Sequence, residues 1–364
     1  MRLGATEHKC DDQSMTFPDQ DDVTPAWLAQ ALGHPGVDVA VEQRSIGTGQ
    51  VGENVRYSLT WPDGVTGPAT VVGKFPAPDE ASRATAAATN SYVREVGFYR
   101  DLQSTVSIET PRLHSLHEEL EANRFLLLME DVAPAEQGDQ ILGCSISQAE
   151  LAIDALVGLH APHWGNSALG EVEWLSPRTA ERGGELAAMY GALWPGFAER
   201  YGPRLGPDVV AVGEVFAGLM ARWFSSFETP QTLIHGDYRL DNMMFATGEG
   251  PAPLTVVDWQ TAAMGHGPAD AAYFIGAGLL PEVRRSTERD LVNRYCVGLH
   301  AAGVEVSDGV IETDYALGTA SGYVMAVIAS MIVGRTDRGD EMFCVMAERH
   351  AAQMGDWNLF DRLS

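Results

Sequence analysis

The spacing of apolar residues changes once along this chain, near residue 130, and any fold must accommodate both patterns. Upstream, "VDVAVEQRSI" (37–46), "NVRYSLTW" (54–61) and "ATVVGKF" (69–75) alternate apolar and polar residues, with the turn sequence "PDGVTG" between the last two. Side chains alternate between the faces of a strand, so this period predicts β-structure. "TPRLHSL" (110–116) and "NRFLLLMEDV" (123–132) predict two more strands. One helical segment, 82–103, is inserted among them, with Tyr92, Val96 and Tyr99 on one face. Downstream the period is helical. Helices are predicted over 147–160, 180–200, 208–227, 269–279, 287–302 and 313–334, interrupted by the strand-like runs "TLIHGD", "NMMFA" and "LTVVDW". A short helix precedes the sheet in "TPAWLAQALG", with Thr24 as N-cap, Pro25 in the first turn and Gly33 as the stop. The expected architecture is α+β. A polar, mobile stretch (1–20) leads to a small β-rich lobe (21–131) and then to a larger, mainly helical lobe (132–364).

Composition excludes some functions. A net charge of −26 repels nucleic acid and anionic membranes and mildly favours cationic ligands. Four scattered cysteines without a C-x-x-C pair, and no apolar leader, predict a reduced, cytoplasmic protein. Residues 315–334 carry no charge and are long enough to cross a membrane. Three glycines, two serines and a threonine within them favour a buried helix of the helical lobe instead, so no membrane insertion is expected.

The chemistry-bearing residues fall in a definite order. "GTGQVG" contains Gly47, Gly49 and Gly52 in the G-x-G-x-x-G pattern. A dinucleotide fold needs that pattern to open a helix and an acid about twenty residues on. Here a strand follows, which leaves a flap over nucleotide phosphates or a plain glycine hairpin. Lys74 ends the next apolar strand within reach of phosphate oxygens, or is an edge-strand surface lysine. Glu95, on the helix that follows, can hold that lysine or be an ordinary exposed glutamate. In "LIHGDYRLDN", Asp237 and Asn242 have the D-x-x-x-x-N spacing of a kinase catalytic loop. The acid orients an attacking hydroxyl, and the amide oxygen turns back toward a metal. Asp258 ends the apolar strand "LTVVDW", where a second metal ligand is needed. Within the loop, Arg239 and Asp241 have no assigned role and are expected to be solvated. His160, His163 and Trp164 cluster at a helix end, where packing is favoured over metal binding for want of a third ligand.

"HGDYRLDNMMF", "VVDWQ" and "GPADAAYF" resemble the aminoglycoside phosphotransferase superfamily, which includes choline-kinase-like and ecdysteroid-kinase-like enzymes. The loop is most similar to the kinase-like domains that accompany some acyl-CoA dehydrogenases. Gly236 stands where protein kinases carry arginine, "LLLMEDV" resembles the family's hinge, and "LVGLHAPHW" resembles a helix that precedes the catalytic loop. The resemblance implies a bilobal protein-kinase-like fold and an enzyme that moves a phosphoryl group from Mg²⁺·ATP to a small-molecule hydroxyl. It implies Asp237 as the catalytic acid, Asn242 and Asp258 as Mg²⁺ ligands, and Lys74, paired with Glu95, on the α- and β-phosphates. The glycine loop would close over the nucleotide, and backbone groups of Met129 and Asp131 would receive the adenine. His235 and Asp270 would be scaffold. Gln260 departs from the glutamate or glycine of many relatives. An aminoglycoside, choline, a sugar, or a hydroxyacyl or lipid-like alcohol are the acceptors weighed, the last agreeing with 315–334 if it lines the cleft. A catalytically silent nucleotide-binding module is the alternative.

Overall fold

The computed structural model describes residues 20–47, 52–175, 177–248 and 252–364. The polar N-terminal stretch up to residue 19 and Gly49 of the glycine loop lie outside them. The chain opens with α1 (Pro25–Ala31), capped by the Thr24 hydroxyl accepting from Trp27 N–H. Five antiparallel strands follow: β1 (Ala40–Ile46), β2 (Gly52–Thr60), β3 (Thr70–Pro76), β4 (Leu113–Glu119) and β5 (Arg124–Glu130), in the order β1-β2-β3-β5-β4. The continuous apolar run of β5 has a simple reason. Phe125, Leu127 and Met129 face the main core, while Leu126 and Leu128 face a second cluster with Leu28 of α1, so both faces are covered.

The helix expected at 82–103 is two helices, α2 (Glu80–Thr89) and α3 (Ser91–Gly97), followed by a wider turn at Phe98–Leu102. The break falls at Asn90, which adopts φ 55°, a left-handed conformation that asparagine tolerates better than most residues. Tyr92, Val96 and Tyr99 are nonetheless all buried, with Tyr92 packed on Phe125 of the sheet.

The helical part contains α4 (Ile146–His160), α5 (Ala180–Leu205), α6 (Pro207–Ala217), α7 (Met220–Ser225), α8 (Gly267–Gly278), α9 (Pro281–Ala301), α10 (Asp308–Gly318), α11 (Ser321–Ile332), α12 (Asp337–Asp356) and α13 (Leu359–Arg362). Short strands lie between them: β6 (Ala135–Gln137), β7 (Thr232–Ile234), β8 (Met243–Ala246), β9 (Leu254–Val256) and β10 (Ala263–Gly265). They form a β6-β8-β9 sheet and a β10-β7 pair. The helix expected at 208–227 divides into α6 and α7. The uncharged segment 315–334 also divides, between α10 and α11, and packs against α5, α8 and α12. Asp308–Ile332 is apolar and long enough to cross a membrane, yet 67% of its most apolar window is buried inside the protein. Every residue of α8 is buried, which its small Gly and Ala side chains permit.

Candidate active site

Strand pairing brings the distant motifs together. Lys74 projects from β3, and its Nζ lies 2.6 Å from Glu95 Oε1 on α3 and 3.1 Å from Asp258 Oδ1 just past β9. Glu95 is buried and Lys74 nearly so, which overrides the surface readings of both residues. Burial alone would lower the Lys74 pKa. The carboxylates of Asp258 and Glu95 outweigh it and raise it, so the ammonium stays charged. Burial, aided by the nearby Asp258 carboxylate, raises the Glu95 pKa against the pull of Lys74. Asp258 itself adopts φ 68°, turning its side chain out of the strand direction, and Gln260 Nε2 donates to its second oxygen at 3.2 Å.

Behind Asp258, Trp259 is fully buried and stacks on Phe98, with ring centroids 3.7 Å apart and planes at 3°. That contact ties the segment carrying Asp258 to the turn that follows α3, the helix carrying Glu95. The backbone bond from Val257 N to Asn242 O at 3.0 Å sets the 235–242 loop beside the same segment.

The loop around Asp237 is pinned from below. Asp270, on α8, accepts from His235 N at 2.7 Å and Gly236 N at 3.2 Å. His235 Nε2 lies 3.1 Å from Val257 O, and its Nδ1 accepts from Asp237 N at 3.3 Å. Both residues therefore make the scaffold contacts expected of them. His160 bonds to Tyr295 and approaches Asp270 to 3.5 Å, whereas His163 bonds to Thr105. The two histidines serve separate packing networks.

Asp237 is buried with three donors around its carboxylate. Tyr273 OH donates at 2.5 Å, Arg239 Nε at 3.0 and 3.1 Å, and Asn242 Nδ2 at 3.1 Å. Burial would raise its pKa, but Arg239 and these hydrogen bonds outweigh it and hold the carboxyl below its usual range. Asn242 Nδ2 also donates to Asp237 O at 2.9 Å. Both partners are oxygens, so the amide nitrogen must face Asp237 and Oδ1 must face away from it.

The solvated reading of Arg239 and Asp241 is wrong. Arg239 keeps 18% of its side chain exposed and Asp241 10%, because each is the other's partner. Asp241 also takes both oxygens to Arg338 of α12 and accepts from Gln140 N. Arg338 lies 97 residues away, so nothing local in the loop announced it. Tyr273 was also missed. It stands three positions after Asp270 in "GPADAAYF", a helical spacing that puts both on the face toward the loop. At the expected hinge, the Asp131 carboxylate is occupied by a two-pronged ion pair with Arg56, at 2.8 and 2.7 Å. Met129 lies within β5, opposite Val72.

The family model of the phosphotransferase enzyme family matches residues 51–303, a span that holds Lys74, Glu95, Asp237, Asn242 and Asp258. The chain belongs to that family. A chicken (Gallus gallus) acyl-CoA dehydrogenase family member 11 is 28% identical over 149 residues, 40% of this chain and 16% of that longer protein. The chain thus spans a small part of the curated relative it matches. Solved structures share the fold. A putative aminoglycoside phosphotransferase from Ralstonia eutropha JMP134 superposes with a TM-score of 0.51 at 18% identity, over 92% of this chain and 96% of that one. A microcompartment-associated aminopropanol kinase gives 0.51 at 14%, over 93% and 98%. The GDP complex of aminoglycoside 2′-phosphotransferase-IIIa gives 0.50 at 14%, over 86% and 93%. The α+β, kinase-like architecture of this chain is therefore shared with enzymes named for different acceptors.

The donor set suits magnesium presented by a nucleotide. Among the described residues no three His, Cys, Asp or Glu side chains gather into a metal cage. Asn242 Oδ1 and the Asp258 carboxylate are hard oxygen donors, and magnesium is held by one or two protein oxygens with phosphates and water completing its shell.

Proposed function

We propose that this phosphotransferase is a small-molecule kinase that moves the γ-phosphoryl group of Mg²⁺·ATP to an alcohol. The observation that carries the reading is the convergence of Lys74, Glu95 and Asp258 into one ion-paired cluster, beside a loop in which Asn242 bonds to Asp237. Lys74, fixed by Glu95, would hold the α- and β-phosphates. Gly47, Gly49 and Gly52 would cover them, and the backbone of Met129 and Asp131 would receive the adenine. Asn242 and Asp258 would hold the magnesium, which neutralises phosphate charge when bound.

Asp237 accepts a hydrogen bond from the acceptor hydroxyl and aims its oxygen at the γ-phosphorus. The new O–P bond forms as the bond to the β–γ bridging oxygen breaks, and ADP leaves with that electron pair. The hydroxyl proton passes to Asp237 and then to solvent. A carboxylate held ionised by three donors is a weak base, so its main contribution is orientation, as loose phosphoryl transfer requires.

For the acceptor, the match to an acyl-CoA dehydrogenase family member supports a hydroxyacyl or other lipid-like alcohol ahead of an aminoglycoside, choline or sugar. The test is incubation with Mg²⁺·ATP and a pool of these alcohols, read by mass spectrometry, with Asp237→Asn as control. A phosphorylated product made only by the wild type supports the reading. ADP and product absent from both proteins would refute it.

A further inference from the structure

The ionic groups beside Asp237 exceed what orienting a hydroxyl demands. Arg239 Nε donates to both Asp237 oxygens. Its Nη1 donates to Asp241 Oδ2 at 2.7 Å and reaches Met342 Sδ at 2.8 Å. Asp241 is itself clamped by Arg338 from α12, so two of the three guanidinium nitrogens are fixed. The third, Nη2, makes no hydrogen bond among the described residues, and 18% of the side chain remains exposed. A guanidinium is planar and Nη2 shares the Nε edge, so this uncommitted nitrogen stands next to the Asp237 carboxylate. The kinase reading puts the acceptor hydroxyl on that carboxylate and the phosphoryl group just beyond it.

We propose that Arg239 binds the phosphoryl group in transit through Nη2, while its Nε edge holds Asp237 in position. The inference rests on the kinase reading and adds a residue to it. A cation already held by direct bonds to Asp237 and Asp241 needs little reorganisation as charge spreads over the equatorial phosphoryl oxygens. A lysine keeps the charge but lacks the planar fork that aims Nε at the carboxylate and Nη2 beside it, so it holds the two groups with poorer geometry.

The test needs no acceptor. Affinity for Mg²⁺·ADP is titrated with and without aluminium fluoride, which mimics the phosphoryl group in transit. In the wild type the fluoride should tighten binding on the order of 10²-fold. Arg239→Gln should lose most of that gain while binding Mg²⁺·ADP alone within about threefold of wild type, and Arg239→Lys should recover only part. Arg338→Gln unties the loop from α12 but leaves Arg239, and should keep the gain. Thermal melts of each variant check that it is folded. A full gain in folded Arg239→Gln, or no gain in the wild type, overturns the inference. Equal loss in Arg338→Gln overturns it too, because loop rigidity then explains the effect. A wild type that binds no Mg²⁺·ADP refutes the kinase reading itself.

Discussion

Gly236 is a position where one added methyl group should strain the loop that carries Asp237. It adopts φ 81° between His235 and Asp237, and a Cβ built on it meets the Thr261 carbonyl oxygen at 2.7 Å. The contact must open by roughly 0.7 Å to reach the 3.4 Å at which ordinary packing begins. Neither side yields freely. His235 N and Gly236 N are bonded to Asp270, and Thr261 Oγ1 donates to His235 O at 2.8 Å. Gly236→Ala also puts an L side chain into the left-handed region, at about 1–2 kcal/mol. With the close contact, the expected loss of stability is about 2–4 kcal/mol, read from chemical denaturation. The shift falls on the residue next to Asp237. A misplacement of about 1 Å costs about 10²-fold in rate, so turnover should drop by roughly 30–100-fold. Lys74 lies on β3 and Asp258 just past β9, outside the strained 235–237 segment, so Mg²⁺·ATP affinity should fall far less than turnover. ADP release and nucleotide titration on the same preparation separate the two quantities. A folded Gly236→Ala protein with wild-type turnover would refute the claim that the loop is pinned between Asp270 and Thr261.

Other outcomes follow from the same geometry. Tyr273→Phe removes one donor from Asp237, a charge-assisted hydrogen bond of about 1.5–3 kcal/mol; turnover should fall by roughly tenfold or more with nucleotide affinity unchanged, checked by steady-state kinetics. Trp259→Ala empties the fully buried site stacked on Phe98 and should cost about 3–5 kcal/mol in a denaturant titration. Burial, aided by neighbouring cations, depresses the His266 and His350 pKa values to about 4. Between that value and the ordinary 6.5 only the unfolded chain is protonated at these sites, so stability should fall as pH drops from 6.5 toward 4. The loss approaches about 3 kcal/mol per histidine. Denaturation midpoints at pH 7 and pH 5 measure it, and a flat profile would contradict the buried neutral state.

The sequence made the site legible where chemistry depends on local spacing. Asp237 and Asn242 share one loop, Asp258 ends its own strand, and Lys74 and Glu95 sit on neighbouring elements, so order alone suggested that they meet. Arg239 and Asp241 were illegible because their burial depends on Arg338, which α12 supplies from 97 residues away; α12 lies outside the predicted helices, although Met342, Phe343, Met346, Ala347 and Met354 recur at helical spacing. The break at Asn90 had a signal, a turn-tolerant residue inside a helical pattern, but helical propensity on both sides masked it. The alternation of β5 was hidden because both its faces are buried. Acceptor chemistry is the least legible part, since it depends on side chains gathered from several helices rather than on any one motif.

The central claim is that Asp258 serves the nucleotide and its metal while Asp237 serves the transfer. Calorimetric Mg²⁺·ATP affinity of Asp237→Asn and Asp258→Asn, measured side by side, tests it most directly. The account predicts near-wild-type affinity in the first, despite lost transfer, and loss of magnesium-dependent binding in the second. Equal loss of affinity in both variants would contradict it.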